Sequence, residues 1–549
     1  MSASDIRRVT NQAPELAGHN VVTGDAALSA AVLRHADEET LDSLVSLGAQ
    51  AGTAEAQEHG RLANRFHPEL VPYDRYGNRI DEVAFHPSWH WLMERAVGHG
   101  LAAAPWALAE KGDEHAHVRR AAGFLAWSQT EPGHLCPISM TYAAVPALRA
   151  DESLAAEWAP RLASTTYDFG LRDPAGKLGT LAGMGMTEKQ GGSDVRQNIT
   201  EARPVGDDVY ELHGHKWFTS APMNDVFLVL AQAPDGLTCF LLPRVLPSGE
   251  RNRLDVVRLK DKLGNRSNAS SELEFRGTIA YRLSEEGRGV RTIIEMVAAT
   301  RLDCVLGSAA LMRRAVAEAS WHVAHRSAFG GALSDKPLMQ NVVADLVVES
   351  EAATILAMRL AAAVDRPDDE HERALRRIGL PLAKFWVCKR TPAMVAEALE
   401  CLGGNGYVEE SVMPLLFRES PLNSVWEGSG NVNALDVLRA IQREPGVLDA
   451  WITEVGRAKG ADRRYDRAVD ATLSLLGESM TSPEELERSA RRLAGSMAAL
   501  LQGSLLVQHG PDEVADIFCA SRLDGHGGTY GMLAGGDQRA VMRRATPTL

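Results

Sequence analysis

Along the 549-residue chain the apolar residues change their spacing twice, and this pattern restricts the fold more than any single motif. Up to about residue 180, Ala- and Leu-rich stretches at 26–34, 90–110 and 116–129 read as helices, with Pro and Gly breaks such as His67-Pro68 and Glu131-Pro132-Gly133 between them. From 181 the apolar runs become short or alternating: Tyr210–Phe218, Val226–Ala231, Leu237–Leu242 and Ser271–Phe275. Turn residues such as Pro234-Asp235-Gly236 and Pro247-Ser248-Gly249 complete an antiparallel β pattern. No helical segments alternate with these strands, and Gly183-x-Gly185 lacks the third glycine of a Rossmann fingerprint, so a parallel dinucleotide-binding sheet is not expected. From about 284 long helical patterns return at 290–327, 336–363 and 371–402, and Gly403-Gly404-Asn405-Gly406 ends the third. A further helical block begins near 441 and contains Ser482-Pro483-Glu484-Glu485, a helix start with a Ser cap, Pro in the first turn and Glu at the capping-box position. The expected fold is α+β in four parts: a helical domain 1–180, a β domain 181–283, a helical bundle 284–440 and an additional helical domain 441–549.

Charge and cysteine content narrow the function classes. With a net charge of −14, the average field attracts neither nucleic acid nor an anionic membrane, so any DNA contact needs a local basic patch. The six cysteines (136, 239, 304, 388, 401 and 519) form no C-x-x-C pair and read as reduced core residues, with no disulfide framework and no metal site expected. The segment Met1–Arg8 lacks the apolar core of a signal peptide, and no uncharged apolar run is long enough to span a bilayer. The expectation is a soluble cytoplasmic protein without membrane contact.

The chemistry is carried by three segments. Met184-Gly185-Met186-Thr187-Glu188-Lys189-Gln190-Gly191-Gly192-Ser193-Asp194-Val195 joins an apolar entry, two hydroxyls and a glycine pair. Such a loop can bring backbone N–H groups up to a phosphate or a ring edge. His213-Gly214-His215-Lys216-Trp217-Phe218-Thr219-Ser220 follows, and Trp426-Glu427-Gly428-Ser429-Gly430-Asn431 lies far downstream. Taken singly, each has a plain structural reading: a polar turn, a core tryptophan and a solvated glutamate. In this order they resemble the flavin-binding loops and base-bearing segment of the acyl-CoA dehydrogenase superfamily, over roughly residues 10 to 440. Gly185–Asp194, Lys262–Ser270 and Asn423–Asn431 resemble its AidB-like branch, alkylation-response flavoproteins with an additional helical C-terminal domain that the block 441–549 matches.

The resemblance implies an acyl-CoA dehydrogenase fold and FAD as cofactor. It assigns Met186, Thr187, Gly192 and Ser193 to the flavin ring and pyrophosphate, and Trp217, Phe218 and Thr219 to the strand beside the isoalloxazine. Arg326-Ser327-Ala328-Phe329-Gly330 followed by Gln340 is similar to the family element that binds the pyrophosphate of an FAD held mainly by a neighbouring subunit. A guanidinium suits that role because it donates two parallel charge-assisted hydrogen bonds. Gly403 and Gly404, with Gly406, match the glycine-rich turn that approaches the same cofactor, and Ser429 and Asn431 are further implied cofactor contacts. Sharing FAD in this way implies a homotetramer. Glu427 matches the catalytic glutamate that takes an α-proton from an acyl thioester, and an apolar, flavin-covered site would raise its pKa. Some relatives place the base on an earlier helix, but Thr300 occupies that position here, which leaves Glu427 as the candidate.

In the AidB-like branch the additional domain is the implied contact for double-stranded DNA, which points to Arg439, Arg463, Arg464, Arg467, Arg491, Arg492, Arg543 and Arg544. Arginines three and four apart share a helix face and can follow a phosphate backbone. Against this, the residues from 441 onward hold 13 Lys and Arg against 15 Asp and Glu, and Glu484 with Arg488 and Glu487 with Arg491 are spaced as ordinary surface ion pairs. No helix-turn-helix or zinc pattern is present, so DNA contact is expected to be indifferent to base sequence. Three functions stay open: a DNA-binding alkylation-response flavoprotein that detoxifies alkylating agents or retains weak acyl-CoA dehydrogenase activity, a conventional acyl-CoA dehydrogenase, and a flavin-stabilised scaffold.

Overall fold

The structure is a computed structural model that describes residues 8–525 and 528–549, so most of the segment Met1–Arg8 lies outside the described residues. Its contacts divide the chain into two compact units. One comprises Glu55–Asp303 with Glu427–Ser429, and the other the residues up to Ala54 with Cys304–Trp426 and Gly430–Leu549.

In the first unit, helices Pro87–Gly98, Ala104–Glu110, Ala116–Ser128, Leu135–Leu148 and Glu152–Leu162 precede a seven-stranded sheet. The expected helix over 90–110 is two helices, because Gly100 takes a φ of 71° and ends the first. The helical region also contains an unexpected antiparallel hairpin, Glu69–Tyr73 with Arg79–Ala84. Asp74 closes its turn by accepting hydrogen bonds from the Tyr76 and Asn78 amides at 2.8 and 2.9 Å. The long strands Val209–Ser220, Val226–Ala233, Gly236–Pro243 and Ser270–Arg282 pair antiparallel, as expected. The edge differs: Ala182–Gly185 pairs parallel with Val226–Ala233.

Strand Val226–Ala233 shows why the sheet is well determined. Val226, Leu228 and Leu230 enter one apolar cluster with Ala144, Leu148, Cys239 and Leu241, whereas Phe227, Val229 and Ala231 enter another with Leu212, Phe240 and Phe275. A slip of one residue would exchange the two faces, so the two-residue period fixes the register. The first cluster reaches Ile293 and Met296 on the long helix Gly289–His325. That helix is tied down by a buried ion pair in which Arg120 grips the Asp303 carboxylate with both terminal nitrogens, while its Nε donates to the Leu101 carbonyl at 2.9 Å.

The second unit is helical. Helices Pro337–Ala362 and Glu370–Cys401 follow the expected spans closely, and the helix begun at Gly289 stops at His325. The block after 441 folds as Val447–Gly456, Arg463–Ser479, Pro483–His509, Asp512–Phe518 and Gln538–Ala545. Ser482 caps its helix as expected, its Oγ accepting from the Glu485 amide at 3.2 Å. This block shares buried charges with the preceding helices. Arg359 donates to Glu372 and to Glu454 at 2.7 and 2.6 Å, and Glu349 accepts from both Arg390 and Arg522, at 2.5 and 3.0 Å. Against burial, which raises it, the two guanidinium charges hold the Glu349 carboxyl down to about 2. Arg522 lies in a π-helical turn, Cys519–Leu523, that lets it reach Asp345 as well. Removing the block would strip buried charges of their partners, which costs several kcal/mol per pair. Among the described residues no helix is long and apolar enough to cross a membrane.

Candidate functional site

In the first unit the loop after strand Ala182–Gly185 is organised by a residue the motif reading passed over. Glu188 is fully buried, and its Oε1 accepts from Lys216 Nζ at 2.7 Å. Its Oε2 accepts from the Ile199 amide at 2.8 Å and from Gln190 Nε2 at 2.7 Å, while Lys216 Nζ also donates to the Leu230 carbonyl at 2.7 Å. Burial raises the Glu188 pKa, but the Lys216 charge and the hydrogen bonds to the carboxylate outweigh it and hold it down to about 2. The ion pair joins the loop to two strands of the sheet. Gly192 is required within it, since a Cβ there would lie 2.5 Å from Thr187 Oγ1. Met186 is half-buried against the apolar core, and Ser193 is exposed.

Strand Val209–Ser220 pairs Lys216 with Leu273 and Thr219 with Ser271, so Trp217 and Phe218 face a single residue across the ladder. This bulge turns both rings out of the regular alternation. The Trp217 amide donates to the Thr187 carbonyl at 2.9 Å, its ring lies under Lys260 Nζ at 3.7 Å, and Phe218 is 54% exposed. Thr219 is fully buried, yet its hydroxyl has no hydrogen-bond partner among the described residues. An orphaned hydroxyl beside an exposed aromatic ring and an open glycine loop is the surface a flat, hydrogen-bonding ring such as a flavin completes.

Glu427 is partly buried in the same unit, in the left-handed conformation with φ 57°, and Gly428 continues the turn at φ 93°. Arg301 Nε donates to the Glu427 carbonyl at 3.2 Å, and Thr300 Oγ1 lies 2.7 Å from the Glu427 carboxylate. Both residues come from the helix that the Arg120–Asp303 pair anchors. Holding a non-glycine residue in this region costs of order 1 kcal/mol, and the pattern concentrates at functional sites. Cys136, read in the sequence as one of six core cysteines, is only half-buried and lies within electrostatic reach of Glu427. Burial pushes its thiol up to about 11; hydrogen bonds with Ser220 and Asn268 and the Lys262 charge oppose this, and the Glu427 charge adds to it. The thiol therefore stays neutral. Ser429 is exposed on the same turn.

The second unit holds the remaining residues. Arg326 donates to the Asn11 carbonyl, at the mouth of a two-residue hairpin, Ser327–Ala328 with Gly331–Ala332. Phe329, with φ 50° and 95% exposure, stands at the hairpin tip. Gln340 donates to the Ser334 carbonyl at 2.8 Å. Gly403 takes a φ of 59°, and a Cβ at Gly403 or Gly404 would meet only open space. Asn431 and Arg439 are exposed on helix Gly430–Arg443, where Arg439 faces Asp436 at 3.5 Å.

The structure divides the C-terminal arginines. Arg464 is engaged by Asp462 and Asp516 at 2.5 and 2.7 Å, Arg467 by Asp524 at 2.7 Å and Arg544 by Glu351 at 2.9 Å. Arg488 pairs with Glu484 at 2.7 Å as its spacing predicts, whereas the Arg491 guanidinium lies over the Phe385 ring at 5.6 Å. Arg463, Arg492 and Arg543 are exposed and form no ion pair among the described residues. No group of His, Cys, Asp and Glu among the described residues is arranged to hold a metal.

The Glu188 pair generates a pH prediction. In the unfolded chain Glu188 titrates near 4.5, so its stabilisation of the loop is complete above that pH and is lost as pH falls towards 2. Hydrogen exchange at the Ile199 amide, which donates to Glu188, should accelerate across that window beyond its intrinsic pH dependence. In Glu188→Gln the amide should be less protected already at neutral pH, and the acid transition should vanish.

Family models match three consecutive stretches: an adaptive response protein AidB N-terminal domain at 11–169, an acyl-CoA dehydrogenase middle domain at 183–278 and an acyl-CoA dehydrogenase C-terminal domain at 287–442. The chain is 44% identical to AidB of Escherichia coli (strain K12) over 98% of each chain. It is 31% identical to acyl-CoA dehydrogenase family member 11 of Caenorhabditis elegans, covering 84% of this chain and 79% of the relative. The crystal structure of Caenorhabditis elegans ACDH-11 in complex with C11-CoA superposes with a TM-score of 0.84 at 28% identity, covering 95% of each chain. FAD is the cofactor of these enzymes, and the orphaned Thr219 hydroxyl and open glycine loop fit its ring. The chain belongs to the acyl-CoA dehydrogenase family of FAD-dependent oxidoreductases, in the branch that carries an AidB N-terminal domain.

Proposed function

We propose that this chain is an AidB-type flavoprotein in which Glu427 is the catalytic base and exposed C-terminal arginines contact double-stranded DNA during the response to alkylation. The observation that carries the enzymatic half is the Glu427 turn, with its carboxylate 2.7 Å from Thr300 Oγ1 and its carbonyl held by Arg301. A base fixed in this way can take the α-proton of an acyl thioester, and FAD, when bound, supplies the hydride acceptor. Met186, Thr187, Gly192, Ser193, Trp217, Phe218, Thr219 and Ser429 are proposed FAD contacts, as are Arg326, Phe329, Gln340, Gly403, Gly404 and Asn431, of which Arg326 and Gln340 would hold the pyrophosphate of an FAD bound mainly by a neighbouring subunit. Phe329 at 95% exposure and Tyr407 at 80% leave apolar rings beside the Arg326 and glycine-turn segments, which supports their coverage by a further subunit in a homotetramer. The four-part division at 180, 283 and 440, and a cytoplasmic location, belong to the same reading.

The DNA half rests on the 44% likeness to AidB together with the exposure of Arg463, Arg492 and Arg543. The full-length holoprotein should bind a 30-bp duplex with an affinity that falls steeply with salt. Replacing Arg463, Arg492 and Arg543 together by Gln should weaken binding about tenfold or more and reduce the salt slope by about three contacts. If the triple variant binds as the wild type does, these arginines are not the contact; if the wild type fails to bind at low salt, the DNA reading falls.

A second reading, a conventional acyl-CoA dehydrogenase, is favoured by the likeness to ACDH-11, whose crystal structure holds C11-CoA. Anaerobic bleaching of the flavin by a medium-chain acyl-CoA would support it. Under either reading Glu427→Gln should lower that rate by about 10²–10⁴-fold while FAD stays bound. Unimpaired bleaching in this variant would remove Glu427 as base, and a wild type that no acyl-CoA bleaches would leave the DNA role with a non-reducing flavin.

A further inference from the structure

Thr300 is buried in the middle of helix Gly289–His325, and its single hydroxyl faces two acceptors. The Glu427 carboxylate lies 2.7 Å away, and the Val297 carbonyl, one turn back on the same helix, lies 3.1 Å away. A threonine hydroxyl has one proton and two lone pairs, so it cannot donate to both at once. We propose that this hydroxyl serves both protonation states of Glu427 in turn, which makes Thr300 a positioning residue for the base; the proposal rests on the reading of Glu427 as the residue that gains the substrate proton.

While Glu427 is ionised it can only accept, and Thr300 donates to it at a distance normal for a hydroxyl–carboxylate bond. When the α C–H bond of the substrate breaks, an O–H bond forms on Glu427 and the carboxyl becomes a donor. Thr300 then accepts from it and turns its own proton onto the Val297 carbonyl, the back-bond that threonine commonly makes inside helices. The Thr300 O–H bond is never broken; it only rotates about Cβ–Oγ. Neither state leaves the facing polar atoms of Thr300 and Glu427 unmatched. The carboxyl also has no need to swing, because Arg301 holds the Glu427 carbonyl at 3.2 Å and the backbone stays at φ 57°. A hydroxyl that only donated would stabilise the carboxylate alone and hinder protonation of the base. One that serves both states favours neither.

The test compares holoprotein carrying Thr300→Val, which matches threonine in shape but has no hydroxyl, with Thr300→Ser, which keeps it. Two readouts are followed: the pH profile of acyl-CoA-dependent flavin reduction, and the infrared carbonyl band of protonated Glu427, assigned by its loss in Glu427→Gln. Thr300→Val should keep FAD and KM and lower kcat about tenfold at every pH. The apparent pKa of Glu427 should move by less than about half a unit, because both states lose a bond. The carbonyl band should shift to higher frequency, and Thr300→Ser should restore rate and band together. An upward pKa shift of about one unit or more would show a one-way donor and overturn the proposal. An unchanged rate and band would show a spectator and overturn it equally. The infrared comparison stands even if Glu427→Gln still reduces flavin, the separate result that removes the base reading itself.

Discussion

The buried pair between Glu188 and Lys216 is the constraint on which the proposed cofactor surface depends. Both side chains are fully excluded from water, 2.7 Å apart, and a lone charge at either position would be strongly unfavourable. Glu188 draws in the Ile199 and Thr200 amides and the Gln190 side chain, and Lys216 reaches on to the Leu230 carbonyl. One interaction therefore joins the loop, the strand that bears the bulge and strand Val226–Ala233. The consequence is local. With Lys216 drawn inward, the ladder resumes only at Thr219, and Trp217 and Phe218 leave the regular alternation, with Phe218 exposed.

A second constraint operates on the long helix. The bidentate Arg120–Asp303 pair fixes Gly289–His325 against the neighbouring helices, and Thr300 and Arg301 lie one turn from that anchor. Their bonds to Glu427 hold a turn that would otherwise relax, since glutamate has no intrinsic preference for φ 57°. Strain at one residue, offset by a charged anchor outside the turn, is a recurrent arrangement where a side chain must keep one direction. The neutral Cys136 thiol beside it adds polarizable surface without a competing charge.

Much of the architecture was legible in the sequence because two periodicities carry it. The long helices and the four principal strands follow their apolar spacing, and the Ser482 cap starts its helix where predicted. What was not legible depended on short-range backbone chemistry or on partners distant in sequence. The hairpin at 69–84 rests on an Asp74 turn inside a mostly helical region, and the parallel edge strand Ala182–Gly185 is too short to show an alternation. Within the site, Glu427 and the glycine loop stood out by motif, whereas Cys136, the Glu188–Lys216 pair and the grip of Arg301 did not. One signal was present: Lys216 shares an inward register with Tyr210 and Leu212, and a charged residue on an apolar face implies a buried counter-charge. The C-terminal arginines show the opposite limit. Spacing grouped them on helix faces, but Arg464, Arg467 and Arg544 are already committed to carboxylates.

The most direct test of this account is the FAD affinity of Glu188→Gln, Lys216→Met and the double variant, measured beside the wild type. If the ion pair shapes the flavin loop, each single change should weaken FAD binding about tenfold or more, and the double variant should bind no more weakly than the worse single. Single variants that hold FAD as tightly as the wild type, or losses that simply add in the double, would contradict it.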